Sequence, residues 1–165
     1  MRHSLRRLSL PELRALAADE APPASAARAE PGAWPPAFVA LRSLAQIADG
    51  GSVDWCSTYV IERDHDRRVV GACGFKGEPE AGRVEIGYGV AAACRNAGVA
   101  GEAVAMLLVI ALRQGACEVL AEVNPANLAS TRVVRRAGFA EGGTRVDQEG
   151  ETVVQWVYLL RDSAA

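Results

Sequence analysis

Histidine and cysteine are scarce in this 165-residue chain, with two of the first and four of the second. Cys56, Cys73, Cys94 and Cys117 stand far apart and form no Cys-x-x-Cys pair. The close, paired ligand spacing of a zinc site is therefore missing, and no metal is expected. Charge of one sign is lacking too. The formal net charge of -2 offers none of the basic excess of a general nucleic-acid binder, although Arg132, Arg135 and Arg136 make a local cluster. Long apolar runs are absent as well. The longest, Ala103 to Leu112, falls well short of the roughly 20 residues that cross a bilayer. Near the start, Pro11, Glu12 and Arg14 break any stretch that would serve as a signal peptide. These absences predict a cytoplasmic protein with reduced thiols that needs neither membrane nor nucleic acid as a partner.

What is present is a globular composition, 50% hydrophobic and 23% charged, in a chain of one-domain length. A single domain over residues 1–165 is expected. Ser4 to Leu8 alternates as a short strand, and Pro11-Glu12-Leu13 opens a helix that fades by Glu20. Residues 21–37, rich in Pro and Ala, read as a long loop. A helix follows over Ala37 to Ala48, closed by Asp49-Gly50-Gly51. Trp55 to Glu62 and Val69 to Phe75 form a hairpin, and Arg83 to Val90 a further strand. Gly98 to Gln114, apolar nearly all round, predicts a buried helix stopped by Gly115. Glu118 to Val123 is a strand, Leu128 to Ala137 a helix, and strands near Thr144 to Asp147 and Thr152 to Leu160 finish the chain. A mixed sheet whose later strands alternate with helices places the fold in the α/β or α+β class.

One turn carries chemistry. Arg95-Asn96-Ala97-Gly98-Val99-Ala100-Gly101 lies between a strand and a buried helix. A helix start offers unpaired N–H groups and a partial positive charge, both suited to a pyrophosphate. Gly98 lets the anion approach the backbone, Ala100 and Gly101 keep the rim small, and Arg95 adds charge. The spacing differs from that of a Walker A loop, and no lysine-hydroxyl pair follows it. An unadorned helix start is the competing reading.

The strand Val84 to Val90, this turn, the helix, then Glu122-Val123-Asn124-Pro125-Ala126-Asn127, Ser130 and Gly138-Phe139 together resemble the GNAT superfamily of N-acetyltransferases. Glu85-Ile86-Gly87-Tyr88 and Asn127-x-x-Ser130 are most similar to its ribosomal-protein N-terminal acetyltransferase branch. The likeness spans about residues 55–160. It implies a mixed, mostly antiparallel seven-stranded sheet, splayed at its centre and flanked by about four helices. It implies acetyl-CoA as co-substrate, with the pyrophosphate on the backbone of Arg95, Asn96, Ala97, Gly98, Val99, Ala100 and Gly101. The pantetheine arm would run beside Ile86, Tyr88 and Val90 and touch Asn127. A backbone N–H near Val90 would steady the oxyanion. The acceptor would be a primary amine, on a small molecule or a protein N-terminus, attacking the thioester directly. A homodimer is compatible with the family.

Three side chains are candidates for proton transfer. Glu122 and Glu85 would accept the amine's proton through water, and Ser130 would protonate the departing thiolate. Of the two glutamates, Glu122, set between Ala121 and Val123, is expected to be buried and lifted towards neutrality. Glu85, beside Gly87 and Gly89, is expected to be less perturbed. Each has a structural alternative: a salt-bridged strand carboxylate for the glutamates and backbone hydrogen bonding for Ser130. Asn127 also suits a helix N-cap. Many relatives carry a tyrosine seven residues after the Asn127 position, where this chain has Val134. That departure leaves open a CoA-binding sensor without turnover. A nucleotide module for ATP or NAD lacks the acidic ribose ligand. Trp34 is a candidate wall of the acceptor pocket. His65, between Asp64 and Asp66, reads as a solvated hairpin tip, and Cys94 as packing.

Overall fold

The computed structural model describes residues 2–23 and 28–160; residues 24–27 of the expected Pro- and Ala-rich loop lie outside the described residues. The sheet has seven strands in the order β1-β2-β3-β4-β5-β7-β6. The strands are β1 His3–Arg7, β2 Thr58–Arg63, β3 Val69–Phe75, β4 Arg83–Val90, β5 Glu118–Val123, β6 Ala140–Val146 and β7 Thr152–Leu159. Every neighbouring pair is antiparallel except β4 with β5. The expected mixed, mostly antiparallel sheet is therefore present. The helices are α1 Leu10–Ala17, α2 Ala37–Ala48, α3 Val53–Cys56, α4 Val99–Arg113 and α5 Leu128–Arg136.

Local chemistry explains the element ends. Ser9 caps α1 through a reciprocal box with Glu12, satisfying donors that the helix start leaves free. Two corrections follow from the same kind of detail. The strand expected from Trp55 begins only at Thr58, because the Ser52 hydroxyl accepts from Asp54 N–H and turns Val53–Cys56 into α3. The last hairpin is longer than expected. Its β6 starts at Ala140 and bulges between Glu141 and Thr144, where Gly142-Gly143 interrupts the pattern. A Cβ at Gly142 would lie 2.9 Å from the carbonyl oxygen of Gln155, so only glycine lets the strands close.

The sheet separates two apolar cores. On one face α4 and α5 pack Val104, Leu107 and Val134 against Ile86, Ala121 and Trp156. On the other, α1 and α2 pack Leu13, Leu16 and Ala40 against Val60 and Val69. Helix α4 is buried along one stripe rather than all round, since Val109 is exposed. Because α2 sits over β2 and β3, the second face of β4 and β5 stays open. That opening positions the site.

Candidate active site

The parallel ladder of β4 and β5 runs only from Arg83↔Glu118 to Ile86↔Ala121. Beyond it the strands part. On the other side of β4, Lys76 N–H donates to the Glu85 carbonyl at 2.8 Å and Ala91 N–H to that of Val70 at 2.9 Å. Antiparallel pairs alternate, so the backbone groups of Glu85, Gly87 and Gly89 turn to β3, and those of Tyr88 and Val90 turn into the gap. The Val90 carbonyl is taken by Arg95 Nε at 3.2 Å, which folds that guanidinium over the mouth of the gap. The N–H of Val90 faces the gap itself.

At the end of the gap, Asn96 and Gly98 adopt positive φ of 60° and 79°. Gly98 is the N-cap of α4 with no side-chain cap, and a Cβ there would meet nothing within 4 Å. The first helical bond is Glu102 N–H to Gly98 O at 3.0 Å, so the N–H groups of Val99, Ala100 and Gly101 are spare among the described residues. The one acid in the first turn, Glu102, is drawn away by His3 Nδ1 at 3.0 Å and by the N–H groups of Arg2 and His3. A cradle of free donors, unobstructed and next to a gap, fits a pyrophosphate-pantetheine arm.

Alternation puts Glu85, Gly87, Leu120 and Glu122 on the open face of the sheet. Of these, Glu85 and Leu120 border a cleft of about 720 Å³, lined also by Gln46, Lys76 and Glu78. The environments of the two glutamates reverse the expectation. The Glu122 side chain is buried, 6% exposed, but Arg145 of β6 clamps it with Nε and Nη2, the latter to Oε1 at 2.6 Å. Hydrogen bonding to Arg145, outweighing burial, holds Glu122 below the usual carboxylate range. Burial pushes Glu85 above that range, against the pull of its ion-pair partner Lys76 and with the added push of Glu122's negative charge. The counter-ion, not burial alone, decides which carboxylate is raised. The positions Lys76 and Glu85 face each other across the β3–β4 hairpin, a pairing that hairpin register alone would have found. Arg145 lies within the strand expected over Thr144 to Asp147, but it reaches Glu122 past the intervening β7, a contact that the register of neighbouring strands does not give.

Asn127 does cap α5, its Oδ1 accepting from Ser130 N–H at 3.0 Å. Ser130 sits in the first turn with no partner for its hydroxyl among the described residues, while its carbonyl accepts from the Tyr88 hydroxyl at 3.5 Å. Tyr88 thus spans the gap from β4 to α5, and burial raises its phenol. Val134 is fully buried in the core. Trp34 packs on the α1–α2 core, away from the residues that line the cleft. His65 is 74% exposed at the hairpin tip. Cys94 packs at the edge of both cores.

A free-donor helix start at the end of a strand gap, with a carboxylate-lined cleft beyond, defines an acyl-CoA-dependent acyltransferase. The acetyltransferase (GNAT) domain family matches residues 3–140, and the chain belongs to that family. It is accordingly an N-acetyltransferase with acetyl-CoA as donor. No curated protein matches the sequence. Among solved structures it is similar to a spermidine N-acetyltransferase chimera from Vibrio cholerae, with TM-score 0.69, 16% identity and 96% of each chain covered. It is also similar to a ribosomal-protein-S5-alanine acetyltransferase from Vibrio fischeri, with TM-score 0.68, 13% identity and coverage of 96% of this chain and 93% of that one. A phosphinothricin acetyltransferase from Sinorhizobium meliloti in complex with acetyl-CoA gives TM-score 0.66, 18% identity, and 97% and 89% coverage. At these identities the likeness is one of fold.

Proposed function

We propose that the chain is a single catalytic domain that acetylates a primary amine by direct attack in the cleft beneath α2, with Glu85 as the base. The thioester supplies an activated acyl group and a good leaving group. The observation that carries the reading is the gap between β4 and β5, with the Val90 N–H turned into it and the spare donors of α4 at its end. Val99, Ala100 and Gly101 bind the pyrophosphate through N–H groups, with Arg95, Asn96, Ala97 and Gly98 shaping the turn. Ile86, Tyr88 and Val90 line the pantetheine channel, and Asn127 closes it from α5. The Val90 N–H donates to the carbonyl oxygen as that oxygen gains charge.

Glu85 suits the base because its raised affinity for protons lies closer to working pH. It takes a proton from the amine through water, so that a neutral nitrogen can attack. Glu122, held ionised by Arg145, keeps Glu85 basic. Ser130, with a spare hydroxyl, donates to the departing sulfur. The cytoplasm is the compartment that fits four unpaired thiols and an acyl-CoA donor. The exposed edge strand β6 is compatible with a homodimer. The named neighbours act on polyamine, protein and small-molecule amines, and a primary amine of either a small molecule or a peptide suits this cleft. Free thiol released from acetyl-CoA in the presence of a panel of amines tests the reading. Tight acetyl-CoA binding with no amine-dependent thiol would reject it in favour of a sensor.

A further inference from the structure

The two carboxylates on the open face of β4 and β5 each already have a cation: Glu85 has Lys76, and Glu122 has Arg145. One cation on the neighbouring helix has no such partner among the described residues. Arg42 lies on α2 one turn before Gln46, whose Nε2 donates to the Lys76 carbonyl at 2.9 Å. Residues four apart share a helix face, so Arg42 stands on the cleft side of α2. It is half-buried and makes no hydrogen bond or ion pair among the described residues. Burial draws its guanidinium below its ordinary value, with only the more distant charge of Glu85 opposing. The open face of β4 is kept low by Gly87 and Gly89, where a Cβ would meet only the Lys76 side chain or nothing.

A half-buried guanidinium without a partner is costly to keep unless an anion visits it. We propose that Arg42 receives a carboxylate on the acceptor, so that the preferred substrate carries its primary amine and an anionic group in one small molecule. The inference rests on the acetyl-transfer reading of the same cleft. With the carboxylate at Arg42, the amine is directed to the floor beside Glu85, where its proton is lost. The guanidinium's planar fork matches a carboxylate through two parallel N–H bonds, which a lysine does not reproduce. The acidic residues Asp49, Glu78 and Glu80 line the other end of the cleft, and they supply the contrary case: a polyamine drawn there instead.

The test compares amino acids with their carboxamides, spermidine, and the dipeptides Asp-Ala and Ala-Ala, as acceptors for the wild type, Arg42→Gln and Arg42→Lys. A charged pair with two parallel hydrogen bonds is available to the carboxylate and not to the carboxamide, so the wild type should favour carboxylate over carboxamide by about 10- to 100-fold in kcat/KM. Arg42→Gln should bring that ratio close to one, and Arg42→Lys should keep only part of it. Preference for the free amino acid marks a small-molecule acceptor. Preference for Asp-Ala over both Ala-Ala and free amino acids moves the same chemistry to a peptide and overturns the small-molecule assignment. A wild-type ratio that survives Arg42→Gln, or a preference for spermidine, overturns the proposal while leaving acetyl transfer standing. Calorimetric titration of the same ligands into the CoA-loaded protein separates the two readings. Carboxylate- and Arg42-dependent binding without turnover would support the anion site and reject the transferase.

Discussion

Arg145, near the end of edge strand β6, clamps Glu122 on β5 with two guanidinium nitrogens, and Glu85 on β4 is the carboxylate left to titrate. A carboxylate base works when deprotonated, so activity falls as pH drops through its raised pKa. The acidic limb of kcat/KM should therefore belong to Glu85 and disappear in Glu85→Gln, together with most of the activity. Glu122→Gln should keep the limb but move it to lower pH, since it removes a negative charge and frees Arg145 to act on Glu85. A pH-rate profile of each variant checks this. A limb lost in Glu122→Gln and kept in Glu85→Gln would return the base to β5.

Gly98→Asp should abolish acetyl-CoA binding. The site has room for a Cβ, so the protein itself does not clash. The carboxylate instead enters the anion's place, and the positive φ of 79° adds strain of roughly 1–2 kcal/mol. Gly98→Ala isolates that strain and should weaken binding much less. Calorimetric titration of the folded variants reads both, and undiminished affinity in Gly98→Asp would make the turn a plain helix start.

Ser130→Ala should lower kcat by about 10²–10⁴-fold, the usual worth of general acid–base help, with acetyl-CoA affinity nearly unchanged. The cap itself survives the change, because Asn127 bonds the backbone N–H of Ser130 and not its hydroxyl. Unaltered kcat in an assay limited by chemistry would mean that the sulfur leaves unaided, as its thiol pKa of about 8.5 allows.

Gly71→Ala should destabilise the fold and injure the site together. A Cβ at Gly71 would lie 2.4 Å from the Gly89 carbonyl oxygen and 3.1 Å from Val90 Cα, so β4 must shift where it borders the gap. Overpacking costs typically 1–3 kcal/mol, and each kcal/mol lowers Tm by about 2–4 °C in a domain of this size. Thermal unfolding and kcat measured on one preparation should fall in concert. A variant with wild-type Tm would show that the strands absorb the methyl group.

The elements were legible where a pattern ran against clear punctuation. Strands β4 and β5 and helix α2 fall where alternation, helical spacing and the closing Asp49-Gly50 put them. Strand β6 was read only in its second half, because all seven of its residues are exposed, which leaves no apolar alternation to mark where it starts. The turn before α4 and the Asn127 cap were readable from residue type alone. The ranking of the glutamates was not. It depends on Lys76 and Arg145 reaching across strands, a matter of register rather than of neighbours in the chain. Arg42 was silent for the same reason, since its significance lies in the ion pair it does not make.

The short ladder between β4 and β5 has a mechanical consequence. Four register pairs join the half-sheet β1–β4 to the half-sheet β5–β7–β6, and beyond them α4 and α5 brace the seam. A donor molecule bound there, as proposed, would touch both margins and work as a splint, replacing cross-links the backbone itself forgoes. Amide exchange should therefore slow at Arg83–Ile86 and Glu118–Ala121 when acetyl-CoA is added, and much less within the β2–β3 hairpin. The protein would then stiffen when charged with the reagent it is about to spend.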